Sequence, residues 1–198
     1  MMDPHFCHTP TEYHNSQDRS FPFVGMIIRR VRVEEEAMRR YVEECWLPMN
    51  RDLEAVVSAH ALDVGEEFDR EVSFHMELFD DPDRRIWVAL DDVEDPTAPL
   101  AEIDATFAGH VTTVLEPSPE PFDVPDRLVV GDLWVRSSYR GTGVADKLIE
   151  RAGREARESG CAELALDVDV DNERALAFYD RLGFEPARYR MRLPVDAL

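Results

Sequence analysis

The chain has 198 residues, of which 44% are hydrophobic, so it is long and apolar enough for one globular domain, and a wholly disordered chain is excluded. Its formal net charge of −20, from 42 acidic and 22 basic residues, would repel a phosphate backbone, so no nucleic-acid partner is expected. The sequence has no secretion signal, no apolar run of about 18 residues and no disulfide framework, which predicts a cytoplasmic protein without a membrane partner.

Residues 1–25 differ from the rest of the chain, since they are rich in His, Pro, Ser and Asn and show no hydrophobic periodicity. We expect a disordered tail here, followed by a single folded domain at 26–198. The spacing of the His and Cys residues in the tail matches no structural zinc pattern, so no metal site is expected.

The first half of the domain alternates between strand and helix patterns. Helical three-to-four spacing of apolar residues is interrupted at Pro48, and the longest strand is expected to bend near Gly109. Acidic, Pro-rich stretches separate the later elements and predict loops. The predicted strands are 26–33, 86–90 and 102–115, and the predicted helices are 34–46, 51–60 and 66–78.

The second half reads strand, helix, strand, helix, strand, which indicates an α/β arrangement. Gly131 lies inside the first of these strands and predicts a β-bulge or a close backbone approach. Asn172 is placed to cap the last helix, and Gly183 to end it. The predicted strands are 128–135, 163–170 and 187–193, and the predicted helices are 142–158 and 173–182.

The most informative segment joins the strand at 128–135 to the helix that follows it. Arg140, Gly141 and Gly143 come directly before the helix, where glycines allow a ligand to approach and the first backbone N–H groups are unpaired. These features favour an anion-binding cradle at the positive end of the helix, with Arg140 adding positive charge. The alternative is an ordinary strand-to-helix turn, which Gly-x-Gly alone would not distinguish.

Two motifs resemble those of a known family. Arg140-x-x-Gly143-x-Ala145 is similar to the acyl-CoA pyrophosphate loop of the GNAT superfamily of N-acetyltransferases. The block from Asn172 to Tyr179, followed by Gly183-Phe184, is similar to the family's second motif. The resemblance covers about residues 26–193 and is strongest from Leu128 onward, where the strand also looks like that of diamine acetyltransferases.

The resemblance implies an α/β fold whose mixed, mostly antiparallel central sheet is splayed between two parallel strands and flanked by helices. It also implies acetyl-CoA as co-substrate, with the pantetheine arm in the gap and the pyrophosphate on backbone N–H groups. Asn172 would contact the pantetheine, or cap its helix, or do both. The implied cofactor-binding residues are Leu133, Trp134, Val135, Arg140, Gly141, Thr142, Gly143, Val144, Ala145, Asp146 and Asn172.

Two residues are candidates for catalysis. By the resemblance Tyr179 would protonate the leaving thiolate, and its alternative role is core packing beside Phe178. Asp132 is the candidate base, directly or through water, or else a structural hydrogen-bond acceptor, since the Glu of the diamine branch is Gly131 here. Weaker base candidates are Glu102, Asp104 and His110, and possible acceptor-pocket residues are Trp46, Met49 and Asn50.

The resemblance therefore implies an acyl-CoA N-acyltransferase. The first expectation is acetyl transfer from acetyl-CoA to a primary amine of a small molecule, by direct attack in a ternary complex. The alternatives are acetylation of a protein N-terminus or lysine, and a non-catalytic acyl-CoA-binding module. The family also implies that a homodimer is possible.

The net charge of −20 has an interpretation that does not depend on the family resemblance. Lys147 is the single lysine, and an acidic surface almost free of lysine resembles proteins of salt-loving cells, in which salt screens the self-repulsion. The alternative is an acidic face that attracts a cationic substrate. The acidic residues are spread along the whole chain, which favours the halophilic interpretation.

Overall fold

The computed structural model describes residues 25–54, 68–119, 121, 124–191 and 193–197. The expected disordered tail lies outside these ranges except for Gly25. The described helices are α1 (Glu35–Tyr41), a π-helical turn (Val42–Trp46), α2 (Leu47–Glu54), α3 (Phe68–Phe79), α4 (Val144–Glu158) and α5 (Glu173–Arg181). The strands are β1 (Ile27–Arg30), β2 (Arg84–Asp91), β3 (Thr106–Glu116), β4 (Arg127–Val135) and β5 (Glu163–Leu166).

The five strands form one sheet in the order β1-β2-β3-β4-β5. The first three pairings are antiparallel, and β4 and β5 are parallel. This is the mixed, mostly antiparallel sheet that the sequence predicts, with helices on both faces. The parallel pair is joined by α4, as parallel neighbours require a crossover connection.

Each face of the sheet carries its own hydrophobic cluster, because side chains alternate along a strand. Ile86, Val88 and Leu90 of β2 pack with α1, the π-helical turn and α3 on one face. On the other face Ala89 and Val111 pack against α4. We call these the α1–α3 face and the α4 face.

The predicted break at Pro48 is wrong, because the helical path continues from Glu35 to Glu54 through the π-helical turn. A proline has no N–H for the carbonyl four residues earlier. That carbonyl, on Glu44, instead accepts a hydrogen bond of 3.1 Å from Arg136 Nη2 of the segment after β4. The predicted helix at 51–60 thus begins earlier, at Leu47, and its part beyond Glu54 lies outside the described residues.

Three strand predictions are corrected. β3 begins at Thr106 rather than 102, because Leu100 and Ile103 turn into the core ahead of it. β5 ends at Leu166 rather than 170, because β4 no longer runs beside it. Residues 187–191 and 193 form no strand, and the side chains of Tyr189 and Met191 are exposed.

The buried carboxylate of Glu155 joins α4 to the sheet. It accepts hydrogen bonds from Arg85 Nη1 at 2.7 Å and Trp87 Nε1 at 2.5 Å of β2, and from Thr113 Oγ1 of β3 at 3.1 Å. Only 1% of its side chain is exposed, so these bonds replace water almost completely. The C-terminal part of α4 is therefore fixed to β2 and β3.

Across the described ranges, no helix combines the length and the apolar character that crossing a bilayer would require.

Candidate active site

The sheet opens between β4 and β5. Their ladder pairs Arg127–Val130 with Glu163–Leu166 and stops there. β4 continues to Val135, where it is paired with β3 alone among the described strands. The β5-facing backbone of Leu133, Trp134 and Val135 thus lies along a gap, which is the splay that the sequence resemblance implies.

A β-bulge marks the point where the gap begins. Gly131 and Asp132 lie together opposite the single residue Thr112, and the register shifts between Val111 and Thr113. The Asp132 N–H donates to Thr112 Oγ1 at 2.7 Å. A Cβ on residue 131 would lie 2.7 Å from that same hydroxyl, so only glycine fits without displacing Thr112. The predicted bulge is confirmed.

The bulge also reverses which side chains of β4 face which cluster. Before it, Leu128 and Val130 pack on the α4 face. After it, Leu133 and Val135 pack there, although regular alternation would place residues 132 and 134 on that face. Trp134 packs instead in the α1–α3 cluster.

The loop before α4 has the geometry of an anion cradle. Gly141 and Gly143 have φ of 77° and 90°, in the left-handed region that favours glycine, and Gly143 caps α4. The first bond within the helix is donated by the Lys147 N–H to the Gly143 carbonyl, 3.2 Å away. The N–H groups of Val144, Ala145 and Asp146 therefore precede the helical ladder, at the positive end of its dipole. α4 starts at Val144 rather than 142 because of the left-handed Gly143.

The hydroxyl of Thr142 turns away from the helix end and donates to the Tyr139 carbonyl at 2.6 Å. It shapes the loop instead of capping the helix. The carboxylate of Asp146 accepts from Arg181 Nη2 of α5 at 2.9 Å, which ties the two helices together beside the cradle.

The side chain of Arg140 contacts α2 and the end of β4 rather than the first turn of α4. Its guanidinium forms an ion pair with Asp52 of α2, and its Nε donates to the Val135 carbonyl at 3.0 Å. Asp52 also accepts from the Trp134 indole N–H at 2.8 Å. This arginine thus fixes α2 to the end of β4, a contact that local sequence patterns did not indicate.

Tyr179 is held in place by the ends of α5. Asn172 caps the helix, since its Oδ1 accepts from the Ala175 N–H at 3.1 Å, as predicted. At the other end the Phe184 N–H donates to the Tyr179 carbonyl at 3.0 Å, and the two rings contact edge to face at 5.4 Å. Burial raises the pKa of Tyr179, so its phenol stays protonated at neutral pH and can donate a proton.

A pocket of about 260 Å³ lies between α3 and the β-bulge, on the α1–α3 face. Asp132 and His75 both line it. Partial burial raises the pKa of Asp132, and the nearby His75 has a smaller effect that lowers this pKa. An Asp carboxyl with a raised pKa is a better proton acceptor than a free one. The lining residues are Trp46, Phe74, His75, Leu78, Phe79, Arg84, Thr112, Thr113, Val114, Gly131 and Asp132.

Of the other residues predicted to form the acceptor pocket or to act as the base, most lie away from the pocket. Trp46 lines the pocket, whereas Met49 is buried in the core and Asn50 donates to the Trp46 carbonyl at 2.8 Å. Glu102 and Asp104 are exposed before β3 begins and do not line the pocket.

His110 is fully buried beside Tyr41 and Trp134, and neither of its ring nitrogens has a hydrogen-bond partner among the described residues. Burial lowers the pKa of His110 to about 3, so it stays neutral in the physiological range. It does not line the pocket, which weakens its candidacy as a base.

The sequence analysis did not identify His75. It lies on α3 with Val72 and Phe79, at the spacing of a buried helical stripe. A histidine in such a stripe was the available signal, but only the tertiary fold places it opposite Asp132. The described part of the chain holds no group of three or more His, Cys, Asp or Glu residues that could bind a metal ion.

Comparison with protein families gives a match to the model of the acetyltransferase (GNAT) family over residues 54–184. An N-alpha-acetyltransferase MAK3 of Arabidopsis thaliana is 48% identical over 56 residues, which are 28% of this chain and 30% of that protein. The chain thus spans about a third of the length of the curated relatives that it matches.

Solved structures share the fold. A protein from Bacillus halodurans has a TM-score of 0.65 at 20% identity, covering 85% of this chain and 99% of that one. The aminoglycoside N-acetyltransferase AAC(6')-Iy, in complex with CoA, has a TM-score of 0.58 at 19% identity, covering 85% and 93%.

Proposed function

The chain belongs to the acetyltransferase (GNAT) family, and on that premise we propose that it transfers an acetyl group from acetyl-CoA to a primary amine by direct attack. The observation that carries the proposal is the adjacency of three features along β4: the open backbone edge, the cradle that follows it and the pocket that Asp132 lines at the bulge. The first two suit the donor, and the third suits the acceptor.

For the donor, we propose that the backbone of Leu133, Trp134 and Val135 pairs with the pantetheine arm, as a strand would. The residues from Gly141 to Asp146 then hold the pyrophosphate through backbone N–H groups, which favour an anion at a helix start. Asn172, exposed at the start of α5, would contact the pantetheine in addition to capping its helix.

For the reaction, the acceptor nitrogen must lose a proton, attack the thioester carbonyl and displace the thiolate of CoA. We assign thiolate protonation to Tyr179, whose phenol is kept protonated by burial. Asp132 receives the acceptor ammonium in the pocket, where a carboxylate attracts a cation, and it is the candidate proton acceptor.

Two acceptor classes are proposed. The N-terminal α-amine of a protein is favoured by the name of the Arabidopsis relative. A small-molecule primary amine is favoured by the pocket, whose volume of about 260 Å³ holds a small amine. In both, the aromatic walls formed by Trp46 and Phe74 would contact the apolar part of the acceptor.

Thiol release from acetyl-CoA tests the function. Three acceptor sets are compared: small primary amines, peptides with a free N-terminus, and N-terminally blocked peptides that contain lysine. We also propose that the fold is adapted to high salt, so the assay is run across a KCl series. Turnover with either of the first two sets supports the proposal and selects the acceptor class. Acetyl-CoA binding without turnover on any set would instead indicate a non-catalytic acyl-CoA-binding module.

An Arg140→Ala substitution is expected to weaken acetyl-CoA binding about tenfold, or about 1.4 kcal/mol. It removes a positive charge next to the cradle and also releases α2 from the end of β4. Isothermal titration with acetyl-CoA measures the change. Arg157→Ala, at the opposite end of α4, is the matched control and should bind normally. Equal affinity in the two variants would contradict the proposed role of Arg140.

A further inference from the structure

His75 shares the proposed acceptor pocket with Asp132 and is almost fully buried, with 3% of its surface exposed. It faces the β-bulge from α3, on the opposite wall. Its ring lies 5.1 Å from that of Trp46 and 5.9 Å from that of Tyr41, measured between centroids. These contacts leave the ring little freedom to turn.

One hydrogen bond determines which ring nitrogen carries the proton. His75 Nδ1 lies 2.8 Å from the backbone carbonyl oxygen of Glu71, one helical turn earlier. A carbonyl oxygen can only accept, so Nδ1 is the donor, and in the neutral ring Nε2 has the free lone pair. The ring is thereby prepared to accept a proton at Nε2.

Charged and titratable groups surround His75 from several elements, and one of them is Arg84 of β2, which lines the same pocket. Asp132 of β4 favours the imidazolium, as do Glu71 of its own helix and that residue's carbonyl. His110 of β3 and Tyr41 of α1 are both buried and neutral neighbours. Burial outweighs the acidic groups and lowers the pKa of His75, so the ring is neutral at pH 7.

We propose that His75 is a catalytic base of this enzyme, accepting at Nε2 the proton that the acceptor ammonium must lose, while Asp132 stabilises the imidazolium that forms. The inference rests on the proposed function and deepens it, since it divides between two residues a role first given to Asp132 alone. A neutral imidazole and a carboxylate in one pocket suit these two tasks.

His75, Tyr179 and solvent together account for every proton that moves in the reaction. The ammonium gives one proton to His75 Nε2, and the free amine attacks the thioester carbonyl carbon, forming the C–N bond. As the tetrahedral intermediate collapses, the C–S bond breaks and the sulfur takes the proton of Tyr179. The nitrogen's second proton restores the Tyr179 phenol, and His75 releases its proton to solvent.

The test compares His75→Gln with the wild type in kcat/KM across pH. In the wild type, kcat/KM should fall as pH drops through the pKa of His75, which lies below its usual 6.5, because the imidazolium cannot accept a proton. In His75→Gln this limb should be lost, and kcat should fall about 100-fold. Ser73→Ala is the matched control, since it changes the same helix outside the pocket without a titratable group, and it should keep the wild-type kcat and pH profile.

Two further measurements keep the inference falsifiable if His75→Gln folds poorly. Free imidazole should partly restore the activity of His75→Ala, and ¹⁵N NMR of the wild type should show the His75 proton on Nδ1. An Nε2–H tautomer, or a His75→Gln enzyme with wild-type kcat and pH profile, would overturn the role of His75 alone. A wild type that binds acetyl-CoA but acetylates no amine would overturn the proposed function as well.

Discussion

Tyr179→Phe is expected to lower kcat about 100-fold, which is within the range measured for the loss of a general acid. The hydroxyl is the only group that this substitution removes, and the ring contacts with Phe178 and Phe184 remain. Without the phenol, the thiolate must leave unprotonated or take its proton from water. Acetyl-CoA affinity should stay close to that of the wild type, because the substitution leaves unchanged the groups proposed to bind the donor on β4, at the start of α4 and at Asn172. Steady-state thiol release and isothermal titration measure the two quantities.

The matched control is Tyr189→Phe, the same chemical change at an exposed tyrosine near the C-terminus. Its kcat should equal that of the wild type. A Tyr179→Phe enzyme with wild-type kcat would remove this residue from the mechanism, and a parallel loss of acetyl-CoA affinity would indicate a structural role instead. Since burial raises the pKa of Tyr179, loss of its proton should not limit kcat at neutral pH.

The second large effect is on stability. Glu155→Ala is expected to lower the free energy of unfolding by about 3 kcal/mol, because it leaves the Trp87 and Thr113 donors unpaired and Arg85 without its counter-charge. The Arg85 side chain is 28% exposed, so water can solvate its charge in part once Glu155 is gone. The expected loss of stability is therefore at the lower end of the range for breaking a buried ion pair. Urea unfolding followed by tryptophan fluorescence measures the change.

Glu158→Ala is the control for that substitution. Glu158 lies one turn later on the same helix and pairs with Arg151, but 56% of its side chain is exposed. Surface pairs of this kind contribute little to stability, so Glu158→Ala should unfold at close to the wild-type urea concentration. If both variants lost the same stability, the buried network around Glu155 would not account for the loss, because alanine is a better helix former than glutamate at both positions.

Local signals in the sequence predict a large part of the site. A glycine inside a strand indicates the bulge at Gly131, Asn172 indicates a helix cap, and Gly143 before a helix indicates the cradle, because each depends on backbone geometry within a few residues. The sheet order and the splay follow from the family resemblance of the same segments.

The remaining parts depend on contacts between distant segments. Nothing near Pro48 in the sequence shows that Arg136 will satisfy the carbonyl freed by the proline. The end of β5 at Leu166 is set by the path of β4, although apolar alternation continues to Val170. His75 and Asp132 come to line one pocket only through the packing of α3 on the sheet, so the proposed role of His75 could not be inferred from spacing.

The inverted alternation after the β-bulge constrains how this protein can change its length. Deleting Gly131 would leave Asp132 alone opposite Thr112, so the strand would become regular while Leu133, Trp134 and Val135 kept their faces and their partners on β3. An insertion or deletion of one residue farther along β4, with the bulge kept, would instead exchange the two faces for every later residue. Loop-length engineering should therefore leave the end of this strand intact.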